Sequence, residues 1–231
     1  MLPALVLASW WAQADPAPAE PPAAPSVGPV APAPLPVADN RLSISAGYAR
    51  RVGVEGGALG PRNGFGLGGD YQRRFLALPN RLELSAGLDF RYDKFQTAVT
   101  GTSEPAPGQV QAYSGDRVLS FSSFAATASA AWRWQRLRPF AQIGAGATIA
   151  YFSSPEMTLR PGNLTAVQPL ARATAGLDVA LTGQIGITVR FAYTHVFTHP
   201  TLTTDATSGA PATYSFLGDL LDAGAGVVLG F

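Results

Sequence analysis

The 231-residue chain contains no cysteine. That absence excludes disulfide staples, thiolate chemistry, cysteine-ligated zinc and a lipidated N-terminal cysteine. Charge is also scarce: Asp, Glu, Lys and Arg make up 13% of the residues, about half the usual share of a soluble protein. The formal net charge of +1 provides no basic footprint for nucleic acid. Nor is there a run of about 18 apolar residues, the length a membrane helix needs, although 47% of the chain is hydrophobic. Apolar character must therefore be distributed over short segments.

The first 14 residues are expected to be a secretory signal peptide. Leu2 to Trp11 form a short apolar run, and Ala12-Gln13-Ala14 has the small-x-small pattern of a cleavage site. Residues 15–38 are nearly all Pro, Ala and Val, as in Pro16-Ala-Pro18 and Pro32-Ala-Pro34. Such a stretch cannot pack a core and favours extended polyproline II, so it is expected to be a disordered periplasmic linker. Residues 39–231 remain as one domain.

In that domain, eight segments alternate with period two. The clearest is Leu82 to Asp93, with Leu82, Leu84, Ala86, Leu88, Phe90 and Tyr92 on one face and Glu83, Ser85, Gly87, Asp89, Arg91 and Asp93 on the other. The same reading holds for 42–50, 64–74, 119–134, 140–151, 170–181, 185–195 and 221–231. Leu119 and Phe121 are apolar where the polar face is due, and the expectation there is a bulge or an extension beyond the membrane. The links at 75–80, 135–138 and 182–184 are short, whereas those at 52–63, 94–117, 152–168 and 197–214 are long. Transmembrane barrels have this asymmetry, with short periplasmic turns and longer outer loops. Trp132, Trp134 and Phe231 fall at the turn side; Tyr48, Tyr92, Tyr151 and Tyr193 fall at the loop side, as two interfacial belts. A soluble barrel of lipocalin type would alternate too, but it would face Lys and Glu outward. Here one face is nearly free of charge.

The predicted fold is therefore all-β: an eight-stranded antiparallel up-and-down transmembrane β-barrel. The strands, the loop pattern, the segment Pro139-Phe-Ala-Gln-Ile-Gly-Ala-Gly146 and the final Phe231 together resemble small bacterial outer-membrane β-barrels of the OmpA/OmpX type. The resemblance implies a place in the bacterial outer membrane and a monomer surrounded by outer-membrane lipid. It also implies that Phe231 is part of the signal read by the barrel-assembly machinery.

Alternation projects Arg74, Arg91, Arg133, Arg172 and Arg190 into the lumen with Asp70, Glu83, Asp89, Asp178 and Asp222. Eight strands leave a bore that side chains fill, so these charges are expected to pair and plug it; a narrow pore is the alternative. The turn at 75–80 predicts a pair between Arg74 and Glu83, and the turn at 182–184 puts Asp178 diagonal to Arg190.

Gly64-Phe-Gly66-Leu-Gly68-Gly69 matches G-x-G-x-x-G, but the alternation continues through it to Arg74, which excludes the strand-to-helix turn of a dinucleotide site. Gly66 and Gly68, like Gly144, Gly146, Gly224 and Gly226, are expected to be inward positions that make room for nearby arginine and aromatic side chains. His195 and His199 are about 13 Å apart on an extended strand, too far to share a metal. No cofactor, metal ligand or catalytic residue is therefore assigned. The leading expectation is envelope structure or surface contact through the outer loops, with an unidentified partner. The alternative is an enzyme acting on lipid A at the outer rim, where Ser153, Ser154, Glu156, His195, His199 and Asp205 gather.

Overall fold

The computed structural model describes residues 39–53, 62–155, 164–198, 201–204, 212–215 and 218–230. The signal-peptide and linker expectations for residues 1–38, and Phe231, lie outside the described residues. The described chain forms ten strands: β1 (Asn40–Val52), β2 (Asn63–Ala77), β3 (Leu82–Ala106), β4 (Gln109–Trp132), β5 (Leu137–Ser153), β6 (Leu164–Ala180), β7 (Ile185–Val196), β8 (Thr201–Thr204), β9 (Ala212–Ser215) and β10 (Asp219–Gly230). Eight of them close into an antiparallel barrel in the order β1-β10-β7-β6-β5-β4-β3-β2. Strands β8 and β9 pair with each other as a separate hairpin between β7 and β10. Closure is made by β1 against β10, in register from Arg41↔Gly230 to Val52↔Asp219.

The side-chain pattern is inverted relative to a soluble protein. Leu88 is 65% exposed, while Arg91 and Asp93, on the same strand, are 2% and 0% exposed. Ile44, Phe65, Phe124, Ile143, Phe191 and Val227 continue the apolar exterior, and Ser43, Asp70, Gln72, Arg172 and Arg190 the polar interior. In water such an exterior would be one large unpartnered apolar surface; in hydrocarbon it is the favourable arrangement. The barrel therefore spans a membrane with its strands, as its alternation predicts.

One expectation about β3 and β4 is corrected, and a second is resolved. The segment 94–117 is not an irregular loop: β3 and β4 continue as a hairpin to the turn at Pro107-Gly108, with Ala106 facing Gln109. Pro107 suits the first corner of that turn, and Gly108 supplies the left-handed φ of 77° that the second requires. Of the bulge or extension expected at Leu119 and Phe121, the extension is what occurs, because the register runs unbroken from Leu82↔Trp132 to Ser103↔Gln111. The irregularity in the neighbouring pair is in β2 instead, between Arg74 and Leu76.

Leu119 and Phe121 keep the inward phase, and they are apolar because they belong to an apolar layer inside the loop-side end. Ala49, Phe95, Leu119, Phe121, Ala150, Phe152, Val196 and Leu220 form one buried cluster there, with Phe95 edge-on to Phe121 at 5.8 Å. Aromatic contact adds to the burial. This layer makes the loop-side end of the described lumen apolar.

Phe121→Ala should cost about 3–5 kcal/mol, because nothing can refill the space inside a closed barrel. Phe124→Ala, on the lipid face, should cost less, since lipid occupies the vacated volume. Urea unfolding of the barrel in vesicles measures both; equal losses would show that the loop-side layer is loosely packed.

Candidate functional site

The lumen is built from inward positions of all eight barrel strands, and its contents change with depth. At the turn-side end Arg138 bridges two carboxylates, donating from Nε to Glu83 (2.9 Å) and from Nη1 to Asp178 (3.0 Å). Arg41 grips Asp178 with a fork, Nε and Nη2 each at 2.9 Å, and reaches Asp70 with Nη1. Its guanidinium also lies 5.0 Å from the centre of the Phe140 ring, a cation–π contact. Glu83 is shared further by Arg133 at 3.1 Å and Arg74 at 3.7 Å.

At middle depth neutral amides take over. Gln72 and Gln142 both donate to Asp70 Oδ2, at 2.8 and 3.0 Å, and Gln72 is held by Thr127 and Ser129. Above them lies a second ionic group. Arg172 bonds Asp89 and Thr194; Arg190 lies 3.6 Å from Asp89; Arg91 lies 2.9 Å from Asp93 and 2.8 Å from Asp222. The apolar layer follows directly.

Seven arginines (41, 74, 91, 133, 138, 172, 190) thus meet six carboxylates (70, 83, 89, 93, 178, 222) in one tube. Glycines make the packing possible: a Cβ at Gly66 would overlap Arg91 and Asp93, and one at Gly68 would overlap the Arg190 guanidinium. The G-x-G-x-x-G match is therefore a stretch of strand that accommodates arginines.

All ten projected lumen charges turn inward, but their pairing differs from the sequence expectation. Arg74 faces Ser85, with Glu83 one inward position nearer the turn, because the β2–β3 hairpin turns late enough to set Ala77 opposite Glu83. Its contact to Glu83 is the longest of three, and its close partner is Asp39. Asp178 and Arg190 do stand diagonal, since Gly176 faces Arg190 and Asp178 faces Thr188. They do not pair: Asp178 turns to Arg41 and Arg138, and Arg190 to Asp89. Barrel curvature brings side chains from distant strands closer than neighbours on one hairpin.

Three participants were missed. Arg138 falls in the short link 135–138 on the sequence pattern, yet it keeps the phase of inward Phe140 and Gln142. Arg41 keeps the phase of Ser43 and Ser45, and Asp93 was placed inward without being assigned a partner. Carrying each alternation one step further would have found the arginines.

At the loop-side rim, Asp219 faces outward with His195. His195 Nδ1 is 2.9 Å from Asp219 Oδ1, Tyr193 donates its hydroxyl to Oδ2, and the Val196 N–H lies 3.3 Å from Oδ1. Among the described residues no serine hydroxyl bonds to His195, whose ring instead meets Phe197 edge-on at 4.9 Å. Ser154 is buried, and Glu156, His199 and Asp205 lie outside the described residues. The rim thus holds an acid–histidine pair without an assigned nucleophile.

Glu83→Ala should cost about 3–5 kcal/mol, because it leaves three guanidinia without a shared counter-charge. Double-mutant cycles on unfolding should give stronger coupling of Glu83 to Arg138 than to Arg74, following 2.9 against 3.7 Å. Planar-bilayer recordings should show no steady conductance, since side chains fill the bore; uniform open channels would contradict the packing.

The sequence matches no protein-family model and no curated protein. Solved structures resemble it in shape. Neisserial surface protein A is 14% identical, with a TM-score of 0.51 over 84% of this chain and 97% of that one. The outer membrane protein OprG from Pseudomonas aeruginosa is 11% identical, with a TM-score of 0.54 over 84% of this chain and 98% of that one. At such identities the likeness concerns the fold. That fold is the small, closed, eight-stranded barrel of outer-membrane proteins.

Proposed function

We propose that this chain is a non-catalytic integral protein of the bacterial outer membrane, in which a plugged barrel holds an extracellular ribbon as a contact surface. The observation that supports this reading is the length of β3 and β4. Pairing of β2 with β3 stops at Gly64↔Phe95, and pairing of β4 with β5 stops at Val118↔Ser153. Among the described residues, from Thr97↔Arg117 to Ser103↔Gln111 the two strands pair only with each other. A ribbon of this length rises roughly 25 Å above the barrel. Among the described residues its outer edges have no strand partner, and Thr97 to Ser103 contains no charge to discourage another chain.

The filled lumen supports a structural role for the barrel itself and opposes the pore alternative. Under this reading the chain is a monomer surrounded by outer-membrane lipid. It meets the barrel-assembly machinery on insertion and a surface partner through the ribbon. The acid–histidine pair His195–Asp219 favours a second reading, an enzyme acting on lipid A at the outer rim.

Replacing residues 97–116 by a two-residue turn separates the readings. Cells bearing the full chain should adhere to protein-coated surfaces more than cells bearing the truncated chain, at equal outer-membrane levels. The lipid A mass profile should be the same with and without the gene. A shifted lipid A mass together with unchanged adhesion would establish the enzyme reading instead.

A further inference from the structure

We propose that the turn-side mouth of the barrel is a binding site for a phosphate-type oxyanion, gripped by Arg74, Arg133, Arg136 and Arg138. A cavity of about 100 Å³ opens there, enough for several waters or one phosphate group. Five arginines line it (41, 74, 133, 136 and 138) against Asp39, Glu83 and Asp178.

The carboxylates are already heavily shared. Glu83 is divided among three guanidinia, and Asp178 between two. Two arginines retain donors facing the space. The exposed Arg136 has no side-chain partner among the described residues, and Arg74 Nη1 is buried without a hydrogen-bond acceptor, Glu83 being 3.7 Å away. A structural ion-pair network has no need of such surplus, and burying a donor without an acceptor is costly.

The geometry selects the ligand class. A guanidinium presents five N–H donors in a planar fork, and forks on separate strands and turns approach from different directions. The oxygens of a tetrahedral phosphate diverge and can meet several such forks at once; a flat carboxylate meets one fork well. The amides of Gln135 and Gln184, also on the lining, add donors at the opening. The apolar layer closes the far end of the lumen, so the ligand enters and leaves at the turn side.

A phosphate ester in solution and a phospholipid headgroup offer the same chemistry, and calorimetric titration of the full chain in detergent distinguishes them. One arm uses inorganic phosphate and glycerol 3-phosphate in about 0.15 M salt, which screens non-specific attraction. The other uses mixed micelles containing phosphatidylglycerol. The expected result is one saturable site, weakened at least about tenfold by Arg136→Ala and partly restored by Arg136→Lys. Arg50→Ala, at the other end of the barrel, should leave binding unchanged. Because Arg136 is exposed, its variants should keep the heat-dependent gel mobility of a folded barrel. Saturation in the soluble arm identifies a free phosphate ester as ligand, and saturation in the micelle arm alone identifies a lipid headgroup. No saturation in either arm, or binding unaffected by Arg136→Ala in a folded barrel, overturns the proposal.

Discussion

Closure of β1 on β10 is the constraint from which the rest of the structure follows. Hydrocarbon offers no hydrogen bonds, so a strand edge left open in the bilayer would carry a row of unsatisfied N–H and C=O groups, each costing several kcal/mol. The register from Arg41↔Gly230 to Val52↔Asp219 removes that edge over the whole length of both strands. Closing at eight strands in turn sets the bore, and this bore is one that side chains fill. Outward residues must then be apolar, and inward residues must satisfy one another. Paired charge and neutral amide serve that purpose in the lower lumen, and aromatic packing does so near the loops.

Buried ion pairs are a poor source of stability in soluble cores, where apolar residues of the same volume often do as well. The lumen of a membrane barrel has a different alternative. If both faces of every strand were apolar, nothing would determine which face meets lipid, and a one-residue slip would carry no penalty. Here a slip would carry Arg91, Asp93, Arg172 and Arg190 into hydrocarbon, all of them at most 5% exposed in the native register. The ionic interior thus penalises every wrong register, while closure provides the stability.

Period-two alternation made much of this legible in the sequence. It placed all eight barrel strands, gave the direction of every projected lumen charge and identified the glycines beside Arg91 and Arg190. Pairing was less legible. Hairpin neighbours such as Arg74 and Glu83 can be guessed from a short turn, but Arg41 with Asp178 and Arg172 with Asp89 are 137 and 83 residues apart in the chain. Those contacts depend on curvature and tilt, which no local pattern encodes. Leu119 and Phe121 show the converse problem: apolar residues in an inward phase look like a break in the strand until the apolar layer they belong to is known.

The two ends of the lumen are lined by different chemistry, and the difference gives the barrel a direction. At the loop side the seal is apolar and includes two aromatic rings in edge-to-face contact, so an ion entering there would lose its hydration with nothing in return. At the turn side the residues are charged, partly exposed and arranged around a cavity. Water and small anions can be accommodated at that end without dismantling a packed layer. The cavity thus lies at the end of the barrel opposite the ribbon of β3 and β4. Any function of the lumen and any function of the ribbon are separated by the apolar layer that Phe95, Leu119, Phe121 and Phe152 build between them.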